Sequence, residues 1–306
     1  MSRTAELSGR VGLGCAALGN LYAPVSEADA GATVAAAWER GVRFFDTAPL
    51  YGHGLSEQRL GRALAAFPRD ETVLCSKVGR VLVPAEDPGD SIFTDVPPVR
   101  PEFDFSAAGV EASLAASLDR LGVHRLDVVH VHDPEDHLEQ VVAETFPALS
   151  RWRDEAIVGA VGVGTNVPET ASFLLDRVEL DWLLLAGRCT LLDRTGTDVL
   201  DRCASLGVEV IAAGVFNSGL LADPSAGAHY FYEPAPADVV ARARDLAAVC
   251  DRFGVPLAAA AIQFPLRHPA VTLVLPGARS AAEIGTDLDF LDVAIPDELW
   301  AELDAV

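Results

Sequence analysis

Four residues stand out for the chemistry their types allow: Asp46, Tyr51, Lys77 and His132. A carboxylate, a phenol, an ammonium and an imidazole together suit proton transfer at a hydroxyl or a carbonyl. A free phenol has a pKa near ~10, too high for a good base at neutral pH. A nearby ammonium favours the phenolate and lowers that value. Asp46 can pair with Lys77 and keep it charged and oriented. His132 can donate a hydrogen bond to the substrate oxygen, or orient it. Such a phenol takes a proton from an alcohol or gives one to a carbonyl. No protein nucleophile is obvious, so a bound cofactor has to carry the redox equivalent.

These side chains meet only if distant segments converge. Short apolar runs recur at residues 11–15, 42–46, 72–77, 126–132, 160–164, 181–186, 209–214 and 271–275. Most are followed by helical patterns, expected at about 26–40, 56–67, 106–121, 137–154, 168–177, 198–206, 236–253 and 257–268. The first helix opens on Ser26-Glu27-Ala28-Asp29, a capping box with Asp in the reciprocal place. The later runs are nearly all apolar, as expected of parallel strands buried on both faces. Eight strands alternating with helices in 306 residues predict one (β/α)8 TIM barrel spanning 1–306 as a single domain. A doubly wound dinucleotide fold would place GxGxxG after the first strand, and Gly12-Leu13-Gly14 is not followed by another glycine until Gly19. Residues 83–105 and 222–236, rich in proline, read as long loops.

In such a barrel the reacting residues sit at the C-terminal ends of the strands. Asp46, Lys77 and His132 end the second, third and fourth runs, and Tyr51 lies in the loop after the second. A purely structural Asp46–Lys77 pair and a satisfied core histidine are the plain alternatives. Their placing at strand ends, with Tyr51 nearby, favours function. His130, two residues before His132 on the same strand face, reads as structural and deeper.

Composition narrows the partners. The chain carries 45 Asp and Glu against 23 Lys and Arg, a net charge of −22. Lys77 is the sole lysine. Such acidity argues against nucleic acid or an anionic membrane, because polyanions want a basic face. No stretch of 18 apolar residues is present to span a membrane. The first ten residues lack the apolar core of a signal peptide, so a cytoplasmic location is expected. The five cysteines form no CxxC pair, which predicts reduced thiols and no metal site.

The motifs resemble those of the aldo-keto reductase family. They are Phe45-Asp46-Thr47-Ala48-Pro49-Leu50-Tyr51-Gly52 with Ser56-Glu57, Ser76-Lys77-Val78-Gly79, Leu126-Asp127 through His132-Asp133-Pro134, Gly162-Val163-Gly164-Thr165-Asn166, and Pro276-Gly277-Ala278-Arg279-Ser280. They run in family order over nearly the whole chain. The resemblance implies a tetrad of Asp46, Tyr51, Lys77 and His132 and a nicotinamide cofactor across the barrel mouth. It implies that Thr165 and Asn166 hold the carboxamide, and that Gly214, Phe216, Asn217, Ser218 and Gly219 lie along the pyrophosphate. There, glycines and a serine would let backbone N–H groups approach phosphate without cations. Many members stack a tyrosine on the nicotinamide where this chain has Ala213, and Phe216 is the candidate substitute. Gly277, Arg279, Ser280, Glu283 and Asp287 match the adenine end. Glu283 stands where NADPH-preferring members often carry an arginine. A carboxylate there would repel a 2′-phosphate and favours NAD, with NADP possible through Arg279.

Three further phrases narrow the resemblance to the aldose 1-dehydrogenase subgroup: Leu18-Gly19-Asn20-Leu21-Tyr22, Leu185-Ala186-Gly187-Arg188, and Ala213-Gly214-Val215-Phe216-Asn217-Ser218-Gly219-Leu220-Leu221. That subgroup oxidises the anomeric hydroxyl of a cyclic hemiacetal, an aldose such as L-fucose, to a lactone. Oxidation of pyridoxal and general aldehyde or ketone reduction are the alternatives within the family, and a non-catalytic nicotinamide sensor lies outside it. Tyr22, His53 and Arg188 are candidate substrate contacts, with Arg80, Tyr230 and Tyr232 behind them. A sugar would need several hydrogen-bond partners, and pyridoxal an aromatic wall.

Overall fold

The computed structural model describes residues 4, 6, 9–89, 91–225, 229–231 and 233–306. Its eight barrel strands are β1 (Gly12–Gly14), β2 (Phe44–Asp46), β3 (Val73–Val78), β4 (Leu126–His132), β5 (Val158–Thr165), β6 (Trp182–Ala186), β7 (Glu209–Ala213) and β8 (Val271–Leu275). Each pairs in parallel with the next in sequence order. The Val274 N–H donates to Arg10 O at 3.0 Å and the Gly14 N–H to Pro276 O at 2.8 Å, which closes β8 onto β1. The chain is therefore a TIM barrel, and the doubly wound alternative is excluded.

Strand alternation divides the core into two layers. Phe44, Val73, Cys75, Val128, Trp182, Ile211 and Leu273 fill the barrel interior. Their sequence neighbours, such as Phe45, Leu74, Val129 and Leu183, face the surrounding helices. Those helices are α1 (Glu27–Glu39), α2 (Leu55–Leu64), α3 (Ala107–Leu121), α4 (Phe146–Asp154), α5 (Pro168–Leu175), α6 (Thr197–Leu206), α7 (Ala237–Arg252), α8 (Leu257–Gln263), α9 (Ala281–Leu291) and α10 (Asp297–Ala305). The predicted cap of α1 forms, with Ser26 Oγ accepting from the Asp29 N–H at 3.0 Å.

Three expectations change in detail. The helix foreseen at 137–154 is broken by a π turn at Val141–Thr145 before α4. Pro147 sits in the first turn of α4 and has no N–H for the ladder below it. The stretch 83–105 is not a plain loop. Arg80–Pro84 and Val99–Phe103 pair antiparallel, the prolines being tolerated because both strands are edges. In the other expected loop, His229–Tyr230 and Glu233–Pro234 form a two-residue ladder. Tyr232 lies outside the described residues.

Candidate active site

Inward-facing positions at the strand ends bring Asp46, Lys77 and His132 to the barrel mouth, each two residues beyond Phe44, Cys75 or His130 on its strand. Lys77 is fully buried, and its Nζ donates to Asp46 Oδ2 at 2.7 Å, Asp46 Oδ1 at 2.9 Å and Thr47 O at 2.9 Å. An ammonium has three N–H donors, and all three have acceptors. Burial opposes the charge on Lys77, but the Asp46 carboxylate and the Tyr51 phenol outweigh it and hold the ammonium well above the usual lysine range. The same Nζ stands 4.7 Å from the centroid of the Tyr51 ring. The fixed ammonium thus lies over the ring of the tyrosine that it would activate.

His132 closes the group. Its ring meets Tyr51 edge-on, with centroids 5.9 Å apart at 90°. Burial pushes its pKa down to about 3, with the Asp133 carboxylate opposing and Lys77 and Arg80 reinforcing. The imidazole is neutral at physiological pH and carries one N–H. His132 Nδ1 has no hydrogen-bond partner among the described residues, and Nε2 stands 3.5 Å from Asp133 Oδ2.

Beneath the tetrad, Cys75 Sγ lies 3.3 Å from His130 Nδ1, and with Asp46 these groups offer ligand atoms within 4.8 Å of one another. Both Asp46 oxygens already accept from Lys77, whose charge would repel a cation. His130 is held neutral by burial, with Lys77 acting in the same direction. All five cysteines are buried and unpaired.

A close backbone crossing sets the Tyr51 loop. A Cβ on Gly52, at φ +61°, would come within 2.4 Å of Gly19 O, so the loops after β1 and β2 touch only because both residues are glycine. Ser56 at the start of α2 ties them further, donating to Cys15 O at 2.7 Å and sharing a 2.8 Å bond with Thr47 Oγ1. Glu57 is fully buried between Ser76 and Arg120. The Ser56-Glu57 motif is therefore a brace.

The tetrad opens into a cavity of about 820 Å³ that runs along the strand ends to the start of α9. Its wall includes Thr165, Asn166, Gly214, Phe216, Asn217, Ser218, Gly219, Gly277, Arg279, Glu283 and Asp287. Ser280 does not line it, and instead caps α9 by accepting from the Glu283 N–H at 3.2 Å. The Thr165 hydroxyl donates to Glu135 and accepts from the Val167 N–H. That leaves the Asn166 side chain better placed than Thr165 to hold a carboxamide. Phe216 lines the cavity while packing on both outer core clusters. In the β7 loop the Asn217 and Gly219 N–H groups turn inward to Gly214 O at 2.9 Å and Phe216 O at 3.1 Å. Those two amides bond the loop to itself and do not face a phosphate. Asn217 Oδ1 is buried without a hydrogen-bond partner among the described residues.

The end of the cavity at α9 is acidic. Glu283 accepts the Arg279 N–H at 2.8 Å and pairs with its guanidinium at 3.4 Å. Burial, with the Glu283 charge behind it, pushes Asp287 up to about 7.

The substrate candidates separate. Tyr22 lines the cavity and stacks on His229 with ring centroids 5.5 Å apart. His53 and Arg188 do not line it. His53 Nδ1 bonds Val99 O at 2.8 Å, bracing the hairpin. Arg188 donates to Asn166 O at 2.7 Å and Asp193 at 2.8 Å and lies over the Phe231 ring. Tyr230 leans on the same Asp193 at 3.3 Å. Arg80 pairs with Asp133 at 3.1 Å. Reading the sequence missed Ile92, Phe93 and Asp133 as wall residues. The first two fall in the stretch read as loop. Asp133 had a signal, its place directly after His132.

The residues fit a dinucleotide. A long cavity joins the tetrad to a helix start, through small residues (Gly14, Ala186, Gly187, Ala213, Gly277) that leave it open, past the Asn217 side-chain carbonyl, which has no partner among the described residues.

Comparison with known proteins agrees. The family model described as the aldo/keto reductase family matches residues 10–306. A D-threo-aldose 1-dehydrogenase from a Pseudomonas species is 41% identical, covering 96% of this chain and 92% of that protein. A pyridoxal 4-dehydrogenase from Microbacterium luteolum is 39% identical, covering 99% and 95%. Among solved structures, the holo form of an aldo-keto reductase from Bacillus halodurans superposes with a TM-score of 0.76 at 22% identity, over 97% of this chain and 91% of that one.

Proposed function

The chain belongs to the aldo/keto reductase family, and on that footing we propose that it is an NAD(P)-dependent dehydrogenase that oxidises the anomeric hydroxyl of an aldose such as L-fucose to a lactone. The observation that carries the reaction type is the buried Lys77, held by Asp46 and Thr47 and facing Tyr51, with neutral His132 edge-on to the same ring. The similarity to D-threo-aldose 1-dehydrogenase supports the substrate class.

Bound along the cavity, a nicotinamide dinucleotide would supply the hydride acceptor. Asn166 would hold its carboxamide end, the 214–219 loop its middle, and Gly277, Arg279, Glu283 and Asp287 its adenine end. Tyr51, as phenolate beside Lys77, takes the proton from the anomeric hydroxyl. The oxygen's freed electron pair forms the carbonyl as the C–H electrons leave the same carbon. Lys77 stabilises the phenolate before the transfer, and Asp46 keeps Lys77 in place. His132 donates its single N–H to the reacting oxygen. Closely packed side chains under this layer exclude water from the ion pair, which strengthens the field at Tyr51. NAD is the favoured cofactor, because Arg279 is already paired with Glu283 and Asp287 adds a second acid nearby.

A second reading, oxidation of pyridoxal, is favoured by the wall itself. Leu50, Ile92, Phe93 and Phe231 line the cavity, and such apolar and aromatic surface suits a flat ring. A screen of NAD reduction with L-fucose, D-arabinose, L-galactose and pyridoxal separates the two. Turnover of the aldoses is expected, and activity with pyridoxal alone would overturn the aldose reading.

A further inference from the structure

Asp133 does something the tetrad does not require. It follows the last residue of β4 with φ +45°, a left-handed conformation that few non-glycine residues hold without a reason elsewhere in the fold. Its N–H is pinned to Gly164 O at 3.0 Å. Its carboxylate is held from behind by Arg80 NH2 at 3.1 Å. Arg80 in turn lies over the Phe103 ring at 4.1 Å, and its backbone carbonyl accepts from Ser113 Oγ at 3.0 Å. A hairpin, a helix and a strand end thus converge to aim one carboxylate. That carboxylate lines the cavity with 37% of its side chain open, beside the nearly closed His132.

The position has a chemical reading. The other polar wall residues belong to the tetrad, to the β1 loop (Tyr22), to the ends of β5, β7 and β8 proposed for the cofactor, or to α9 (Glu283, Thr286 and Asp287) at the far end. Asp133 is the charged wall residue left beside the reacting end. His132 Nε2, a donor when the neutral imidazole is protonated there, and Asp133 Oδ2, an acceptor, are 3.5 Å apart. A gauche vicinal diol presents two oxygens somewhat closer together than that, and one can accept while the other donates across this donor–acceptor pair. We propose that Asp133 is a specificity-determining residue that accepts the hydroxyl vicinal to the carbon being oxidised, the 2-hydroxyl of an aldose, while His132 engages the reacting oxygen. This rests on the aldose reading above.

The mechanism gives a sharp comparison. A substrate lacking the 2-hydroxyl costs the Asp133 carboxylate one charge-assisted hydrogen bond while Arg80 stays in place, a loss on the order of 10- to 100-fold in kcat/KM. The test measures L-fucose against 2-deoxy-L-fucose with the wild-type enzyme and with Asp133→Asn and Asp133→Gly. Both replacements tolerate the left-handed backbone, and thermal unfolding reports whether they fold. The expected result is a wild-type penalty of that size for the deoxy sugar that shrinks to within about threefold in Asp133→Gly. Asp133→Asn should fall between, because an amide oxygen still accepts. A residue that merely supports the loop would lower both substrates alike and leave their ratio unchanged. Equal use of both sugars by the wild type, or an unchanged penalty in Asp133→Gly, overturns the proposal and leaves the aldose reading standing. Failure to oxidise any aldose overturns both.

Discussion

Ser76 donates its hydroxyl to Glu57 at 2.6 Å, immediately behind Lys77 on β3. Ser76 faces outward where Lys77 faces inward, so the contact locks the strand carrying the ammonium to α2, whose first turn follows the Tyr51 loop. Arg120 Nε completes the brace at 2.6 Å from the other Glu57 oxygen. One buried carboxylate therefore couples the two segments that must meet for the phenol to feel the ammonium.

Glu57→Ala removes one partner of a buried ion pair and leaves Arg120 uncompensated. The expected loss of stability is about 3–5 kcal/mol, read by urea unfolding. Ser76→Ala costs about 1 kcal/mol. The double variant should lose less than the sum, because both substitutions act on one network.

Tyr51→Phe removes the proton acceptor and leaves the ring. It should lower kcat by roughly 10²- to 10⁴-fold with the Kd for cofactor unchanged, measured by turnover and by fluorescence titration. Lys77→Arg should fail comparably, because a planar fork cannot repeat the three bonds that the compact ammonium makes. A Tyr51→Phe enzyme with near-full turnover would remove the phenol from the mechanism.

The histidine has a definite pH consequence. His132 is pushed down to about 3 in the fold, against about 6.5 for a free imidazole. Between those values the unfolded chain binds more protons, so stability rises with pH across that window and is lost as pH falls. Asp287, raised to about 7, works in the opposite sense, favouring the fold below its own pKa. His132→Gln should flatten the acid-side slope of urea stability between pH 4 and 6.5, while Asp287→Asn should steepen it. A slope unmoved by His132→Gln would show that this imidazole is not held neutral.

The adenine end predicts cofactor choice. Glu283→Gln frees Arg279 and removes one repelling charge, so the kcat/KM ratio of NADP to NAD should rise roughly fivefold, the size of a single surface charge effect of about 1 kcal/mol. With Asp287 titrating near 7, the wild-type ratio should also rise as pH drops from 8 to 6, and Asp287→Asn should remove that dependence. Similar kcat/KM with both cofactors in the wild type would refute a preference.

Much of this was legible in the residues. Periodicity identified the strands, and the period of two placed Asp46, Lys77 and His132 inward at strand ends, so the TIM barrel and its tetrad follow from local pattern. The cavity lining followed less completely. Thr165 sits where a carboxamide contact was expected, yet its hydroxyl is engaged by Glu135, a partner 30 residues away. Ser280 caps a helix. His53 and Arg188 sit near the mouth but point into hairpin and loop braces.

Sequence alone determined which chemical groups exist, on which strand and on which face, because alternation and capping are local rules. Only the tertiary structure decided which donor meets which acceptor. Lys77 satisfies all three of its N–H bonds with β2 and the residue after it. Asp133 is aimed by an arginine from a hairpin that composition disguised as a loop. Burial then set the charges, because desolvation keeps His132 neutral while Asp46 keeps Lys77 charged, and neither outcome can be read from a residue apart from its neighbours in space.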